Sequence, residues 1–220
     1  MKEIISAYFD ALYDTDRDRA LTVIDRALAA GVPAERVIFE VVVPTMERMI
    51  GSMLTNEMIT LSQHFLASQI AEEVTDLLIP RFSQAPQIQG YVVIGTSRGD
   101  FHGLGKKIVT GCLRAKMFKV TDLGLNVEPE RFVEAALAEG AGVIGISSMM
   151  VHTAIGEQGP LRVRALLREQ GLEQRIRLIV GGAPYRFNEE LYREVGADAW
   201  ADSAAEAPAV IARLLAEVQP

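Results

Sequence analysis

Tyr91-Val92-Val93-Ile94-Gly95-Thr96, followed at once by Ser97-Arg98-Gly99-Asp100-Phe101-His102-Gly103-Leu104-Gly105-Lys106, decides how this chain is read. The first stretch is a continuous apolar, β-branched run, which suits a strand buried on both faces as in a parallel sheet. The second is a glycine-rich turn, and a helix is predicted after it over 104–116. Working outward, the same alternation recurs. A short strand is predicted at Lys119–Leu123, and Pro129 opens a helix that runs through Glu139. Gly142–Ser147 reads as a third strand, with a helix from about Gln158 to Glu169. Ile176–Val180 reads as a fourth strand, followed by a helix near Asn188–Val195. A short fifth strand near Ala199 and a last helix from Ala204 complete the pattern. Five such units predict a doubly wound parallel sheet with helices on both faces. Ligands of these sheets sit beyond the carboxyl ends of the strands, where the strand order switches. The turns after strands one, three and four are therefore the places to look.

Upstream, the chain reads as helix only. Tyr13-Asp14-Thr15-Asp16 offers turn and N-cap chemistry. Leu21, Ile24, Ala27 and Leu28 follow at helical spacing, and Gly31 suits a left-handed C-cap. Pro33 opens a second helix carrying Val37, Val41, Met46 and Met49, and Pro44 predicts a kink or break within it. A longer helix follows Thr60, with Leu61, Phe65, Leu66, Ile70, Val74, Leu77 and Leu78 on one broad face, and Pro80 stops it. This pattern predicts a four-helix bundle. The stretch PRFSQAPQIQG has no apolar period and reads as a linker, which gives a helical domain over 1–88 and a sheet domain over 89–220.

Composition narrows the functional classes. The chain has 220 residues, 22 basic and 29 acidic, a net charge of −7, and 49% apolar residues. That is enough for a packed core and argues against disorder. The acidic balance disfavours direct nucleic-acid contact and points to small ligands and proteins as partners. Cys112 is the only cysteine and has no internal disulfide partner, which implies a reducing, cytoplasmic setting. MKEIISAYFD lacks the apolar segment of a signal peptide. No apolar run approaches the ~18 residues of a membrane span.

Three turns carry the chemistry. In the first, Asp100 and His102 stand two apart among three glycines. A neutral imidazole binds metal through one nitrogen while a carboxylate holds the other N–H. A plain glycine-rich turn with a capping Asp and a surface His fits the same spacing. The run GDFHGLGK matches neither GxGxxG nor the GK[ST] ending of a P-loop, so a nucleotide site is the weaker reading. The second turn is Ser147-Ser148-Met149-Met150-Val151-His152-Thr153, whose hydroxyls suit either a ligand's polar edge or helix capping. The third is Gly181-Gly182-Ala183-Pro184, which permits close approach of a ligand or simply a tight turn.

Taken in order, Asp100-x-His102-x-x-Gly105, Ser147-x-Met149 and Gly181-Gly182 resemble the cobalamin-binding signature Asp-x-His-x-x-Gly, Ser-x-Leu, Gly-Gly. GDFHGLGKKIV, VTDLGLNVEPERFVEAA and IVGGAP resemble the same family, and the helical segment is similar to the cap of corrinoid proteins and of methionine synthase. The resemblance implies an N-terminal four-helix bundle cap followed by a Rossmann-like (flavodoxin-like) five-stranded parallel sheet. It implies that His102 displaces the cofactor's dimethylbenzimidazole and becomes the lower axial cobalt ligand, with Asp100 tuning it and Thr153 extending the relay. Ser147 would then hydrogen-bond the displaced nucleotide tail, and Gly181 and Gly182 would line its slot. Two positions depart from the pattern: Met149 replaces the usual Leu, and Gly103 stands where an acidic residue is common.

The cap would meet the upper face of cobalt. Met46, Met49, Met53, Leu54 and Met58 cluster in sequence there, and His64 follows; bundle core is the ordinary role of such methionines. ITLSQHFLASQIAEEV resembles the cap of cobalamin photoreceptors. Gln63 replaces their Glu, however, and Met53 or Leu54 falls in the region of their Trp. Trp200, the only Trp, lies in the sheet domain.

Two functions are compatible with the resemblance. One is a non-catalytic corrinoid protein that carries a methyl group between partner methyltransferases, its cobalt cycling between Co(I) and methyl-Co(III) with a reductive activator in attendance. The other is a cobalamin-dependent sensor or antirepressor of light or redox state that acts on a separate transcriptional regulator.

Overall fold

The computed structural model describes residues 1–54, 59–82 and 88–218, without the side chains of residues 50, 51, 53, 54 and 61. The chain divides into two compact units, one of Met1–Gln87 with Arg114–Met117, the other of Ile88–Leu113 with Phe118–Pro220. Among the described residues, no helix is long and apolar enough to cross a membrane.

The first unit contains α1 (Lys2–Tyr13), α2 (Arg17–Ala29), α3 (Ala34–Val37), α4 (Val43–Leu54) and α5 (Leu61–Leu78). Asp16 caps α2 by accepting the Arg19 N–H at 3.0 Å. At the other end of α2, Gly31 turns left-handed at φ +84°, and Val32 N–H donates back to Ala27 O at 3.1 Å. Pro44 does not break its helix. A π-helical turn over Ile38–Val42 precedes it, and Val43 N–H reaches back five residues to Ile38 O. The wider turn joins α3 to α4 and carries the chain past a residue that has no N–H to give. Four helical rods therefore surround a core that includes Tyr8, Leu12, Ile24, Val37, Ile38, Val41, Met46, Met49, Ile70, Val74 and Leu78. Ala115 and Met117 pack in this same core, so the end of the helix beginning at 104 belongs with the helical unit.

The second unit holds β1 (Gly90–Thr96), α6 (Leu104–Ala115), β2 (Phe118–Asp122), α7 (Pro129–Glu139), β3 (Val143–Ser147), α8 (Val151–Ile155), α9 (Pro160–Glu169), β4 (Arg177–Gly181), α10 (Ala183–Phe187), α11 (Leu191–Glu194), β5 (Ala199–Ala201) and α12 (Ala207–Ala216). Every strand pair is parallel, and the order is β2-β1-β3-β4-β5, the flavodoxin-like arrangement with its switch between β1 and β3. Alternate residues feed opposite faces. Val93, Ile144, Ile146, Leu178 and Val180 pack with Phe132, Val133, Val163 and Leu167. Val92, Ile94, Val143 and Ile179 pack with Leu113, Ile211 and Leu214.

Two short helices, α8 and α10, were not expected from the sequence. Each has five residues and begins directly after the turn that follows a strand. One and a half turns are too few for an apolar period to show.

Candidate functional site

The register sets Thr96 beside Ser147 and Ser147 beside Gly181, so the ends of β1, β3 and β4 lie side by side. The three turns singled out above all leave from this row. After β1 the chain reverses: Asp100 N–H donates to Ser97 O at 2.9 Å, with Gly99 left-handed at φ +80°. Asp100 is thereby turned inward and is 1% exposed.

Its carboxylate collects donors from three segments. Oδ1 accepts the His102 N–H at 2.9 Å and the His102 Nδ1–H at 3.0 Å. Oδ2 accepts the Met149 N–H at 2.7 Å and the Thr153 hydroxyl at 2.8 Å, with Met150 N–H at 3.4 Å. Burial alone would raise the pKa of this carboxyl. The hydrogen bonds from the His102 and Met149 amides, the Thr153 hydroxyl and the His102 ring outweigh it and hold the group below the ordinary carboxylate value. An ionised carboxylate only accepts, so Nδ1 of His102 is the donor, and in the neutral ring the lone pair falls to Nε2. The His102 side chain is 57% exposed, which leaves that lone pair available.

Met149 was singled out for its side chain, but its amide is what engages Asp100. The side chain is exposed, as are those of Phe101, Leu125, Met150 and Val151. The turns that carry Asp100 and His102, and those beside them, thus present apolar side chains to solvent. The glycines divide by role. A Cβ on Gly182, at φ +118°, would stand 2.0 Å from Ser148 O, so glycine is obligatory there. At Gly181 a Cβ would meet only Ala201 O at 3.7 Å, and at Gly105 nothing within 4 Å. At Gly103 it would come within 2.8 Å of Leu125 Cδ2. Ser147 is half-buried at the end of β3, and its carbonyl accepts the Ser97 N–H at 3.1 Å.

Several supporting residues escaped the sequence reading. Ser97 and Ser148 share a buried hydroxyl–hydroxyl bond of 2.7 Å across the switch point. Thr96 Oγ1 donates to Asp100 O at 2.6 Å, and Asn126 Oδ1 accepts the Gly99 N–H at 2.7 Å. Lys106 is buried and pairs with Asp122. A hydroxyl partner or an enclosed lysine has no fixed spacing in sequence. Asn126 alone left a trace, as an Asn near a Gly, which suits a left-handed turn.

The expected cap residues lie in the helical unit. Met46 and Met49 are in its core. His64 on α5 is fully buried, with Nδ1 3.3 Å from Ser68 Oγ and no hydrogen-bond partner for Nε2 among the described residues. Gln63 completes a capping box with Thr60 and also donates to Tyr13 O at 3.0 Å. The side chains of Met53 and Leu54, and Met58 altogether, lie outside the described residues.

A single outward imidazole is one donor, too few to hold a bare ion. A metal engaged at His102 must bring its other donors with it, and a flat macrocycle suits an apolar edge with open space at Gly105 and Gly181. A flavodoxin-like sheet that presents one carboxylate-oriented imidazole at its switch point has the build of a corrinoid-binding module. Comparison with known proteins agrees. A family model described as B12 binding domain matches residues 90–209, and a second so described matches residues 4–79. The chain belongs to the B12-binding domain family, and its cofactor is a corrinoid. It is 30% identical over 217 residues to dimethylamine corrinoid protein 2 of Methanosarcina acetivorans, covering 97% of each chain. It is 32% identical over 218 residues to a dimethylamine corrinoid protein of Methanosarcina barkeri, covering 98% of this chain and 99% of that one. The solved monomethylamine corrinoid protein of M. barkeri superposes with a TM-score of 0.57 at 27% identity, over 97% of this chain and 99% of that one. The methanol:cobalamin methyltransferase complex MtaBC of M. barkeri shares the fold, with a TM-score of 0.78 at 24% identity, over 99% of this chain and 81% of that one.

Proposed function

We propose that this chain is a methyl-carrying corrinoid protein. It is a non-catalytic subunit that serves partner methyltransferases and depends on a reductive activator, with His102 as the lower axial ligand of cobalt. The observation that carries this reading is the similarity to dimethylamine corrinoid proteins along 97% of the chain, helical unit included. The geometry around Asp100 supports the ligand assignment.

When bound, the corrinoid supplies a cobalt that takes up and gives up a methyl group. The chain's own residues prepare the surroundings. Asp100 holds the proton at His102 Nδ1 and so keeps the lone pair at Nε2. The Met149 amide and the Thr153 hydroxyl hold Asp100 ionised and in place, which raises the donor strength of the ring it faces. Ser147 and Gly181 would hold the nucleotide tail at the ends of β3 and β4, where Gly181 adds no side chain, and Gly182 would serve beside them by letting the backbone pass close to Ser148. Phe101, Met149, Met150 and Val151 are exposed and would offer a bound corrinoid apolar surface to cover.

The sensor reading gains nothing from the cap. Gln63, standing where the photoreceptor-like segment would have Glu, is occupied with helix capping and with Tyr13 O. The test is reconstitution with cobalamin, reduction, and incubation with a methylamine and its corrinoid-dependent methyltransferase. Transfer of labelled methyl to the protein-bound corrinoid, and onward to an acceptor methyltransferase, is expected. Failure with methylamine and methanol systems alike, together with a light-driven change in oligomer, would overturn the reading in favour of the sensor.

A further inference from the structure

The turn that bears His102 is held from another loop by a residue that the mechanism above leaves idle. Residues 97–100 form a β-turn in which Gly99 is the third residue, and the N–H at that position takes no part in the closing bond. Asn126, from the loop between β2 and α7, supplies the missing acceptor: its Oδ1 lies 2.7 Å from Gly99 N. The Asn126 N–H in turn lies 3.0 Å from Asp100 O and 2.8 Å from Thr96 Oγ1. Thr96 Oγ1 donates to Asp100 O at 2.6 Å. The backbone from Gly99 to Asp100 is thus fastened on both sides of the carboxylate that orients His102.

Asn126 meets these partners in a left-handed conformation, φ +53°, which few residues with a side chain adopt and which Asn tolerates best. Its loop is pinned on either side of it. Leu123 N–H donates to Ile94 O at 2.8 Å, Gly124 N–H to Asp122 Oδ1 at 2.8 Å, and Val127 N–H to Thr96 O at 3.1 Å. An unfavourable conformation persists where its surroundings over-determine it, and such positions cluster at functional sites.

We propose that Asn126 is a positioning residue for the axial histidine. By capping Gly99 and fixing the Asp100 carbonyl, it holds the turn in the one arrangement that delivers the Asp100 carboxylate to His102 Nδ1. It acts through the backbone of the turn and makes no hydrogen bond to His102 itself. The proposal rests on the reading of His102 as the lower ligand.

The test compares wild type with Asn126→Gly, Asn126→Asp and His102→Ala, each loaded with cobinamide. That corrinoid lacks the nucleotide base, so nitrogen ligation must come from the protein. Asn126→Gly keeps the backbone N–H and suits a positive φ, but removes the acceptor; Asn126→Asp retains it. Electron paramagnetic resonance of the reduced cobalt reads the nitrogen-ligated fraction. Wild type and Asn126→Asp are expected to be nitrogen-ligated and His102→Ala not. Asn126→Gly is expected to fall by about fivefold in the ratio of ligated to unligated cobalt, the worth of roughly one net hydrogen bond. On the unloaded proteins, the ring nitrogen-15 shifts of His102 are expected to show one tautomer in wild type and a mixture in Asn126→Gly. Should that variant not fold, Asn126→Ser takes its place with the same expectation in direction. An unchanged ligated fraction and an unchanged tautomer in folded Asn126→Gly, or in Asn126→Ser where it takes its place, would overturn the proposal, even if that variant were less stable. Identical spectra for wild type and His102→Ala would instead overturn the axial reading, and the proposal with it.

Discussion

Asp100 Oδ1 stands 3.0 Å from His102 Nδ1 and also accepts the His102 backbone N–H at 2.9 Å, so one oxygen fixes both the ring and the peptide of the residue it orients. A neutral imidazole has one N–H and one lone pair, and committing the first to Asp100 commits the second to Nε2. The other oxygen, Oδ2, belongs to the opposite side of the switch point, to Met149 and Thr153. A carboxylate enclosed to this degree is costly unless its oxygens are satisfied. Here the donors that satisfy it also tie β1 to β3.

Replacing Asp100 with Asn tests this arrangement with little change in shape. Both oxygens face donors, so either orientation of the amide sets an N–H against an N–H. Asp100→Asn is expected to cost about 1–3 kcal/mol in urea unfolding of the unloaded protein and to abolish the tautomer preference of His102. Thr153→Val removes one donor of several and is expected to cost about 1 kcal/mol or less, with the histidine-ligated spectrum of bound cobalamin retained. Equal losses in the two variants would contradict the ranking.

Adjacent glycines should separate folding from binding. Gly182→Ala places a Cβ 2.0 Å from Ser148 O at φ +118°, so the backbone must move, and a loss above about 3 kcal/mol or failure to fold is expected. Gly181→Ala meets only Ala201 O at 3.7 Å, and the unloaded protein is expected to stay within about 0.5 kcal/mol of wild type. Under the proposed function, its methyl group would occupy space that the nucleotide tail needs. Cobalamin binding, followed by equilibrium dialysis, is therefore expected to weaken while thermal unfolding does not change. Normal affinity in Gly181→Ala would remove that residue from the slot.

The sheet was legible because its strands are buried on both faces: runs such as Val92-Val93-Ile94 and Leu178-Ile179-Val180 have few other uses. The site was legible where chemistry and spacing coincide, as at Asp100 and His102. It was obscure where partners are distant in sequence. Met149 contributes an amide, which its side chain does not advertise, and Ser97 meets Ser148 only because β1 and β3 are neighbours. At Pro44 the expected interruption takes the form of a π turn, for a related reason. Proline signals a lost hydrogen bond, but a π turn that absorbs the loss has no signature of its own.

His64 gives the helical unit a pH dependence. Burial lowers its pKa from 6.5 to about 4. The ring stays neutral in the fold but takes a proton near pH 6.5 once unfolded, so acid favours the unfolded chain. The contribution is fully present above about pH 6.5 and is lost as the pH falls toward 4, with a slope approaching ~1.4 kcal/mol per pH unit. His64→Leu removes the titrating ring together with its Nε2, which meets no hydrogen-bond partner among the described residues. Urea midpoints of the unloaded proteins at about pH 7 and about pH 5 are expected to differ less in His64→Leu than in wild type. Parallel slopes would show that the ring titrates alike in both states.

Lys106 and Asp122 form a pair whose two halves are unequal. The lysine side chain is 2% exposed and the aspartate side chain 26%, and Asp122 Oδ1 also accepts the Gly124 N–H at 2.8 Å. Removing the lysine charge leaves a carboxylate that still reaches water and keeps the Gly124 bond. Removing the aspartate charge leaves an enclosed ammonium with no counter-ion in this pair. Asp122→Asn is therefore expected to cost more than Lys106→Met, about 2–4 kcal/mol against about 0–2 kcal/mol. The double variant should recover most of the difference, because the enclosed charge that made Asp122→Asn costly is then gone. A double-mutant cycle in urea reads this directly, with a coupling of about 1–3 kcal/mol expected. If the double variant instead lost the sum of the two single losses, the pair would be no more than a surface contact. Lys106 would then contribute through its packed methylenes and not through its charge.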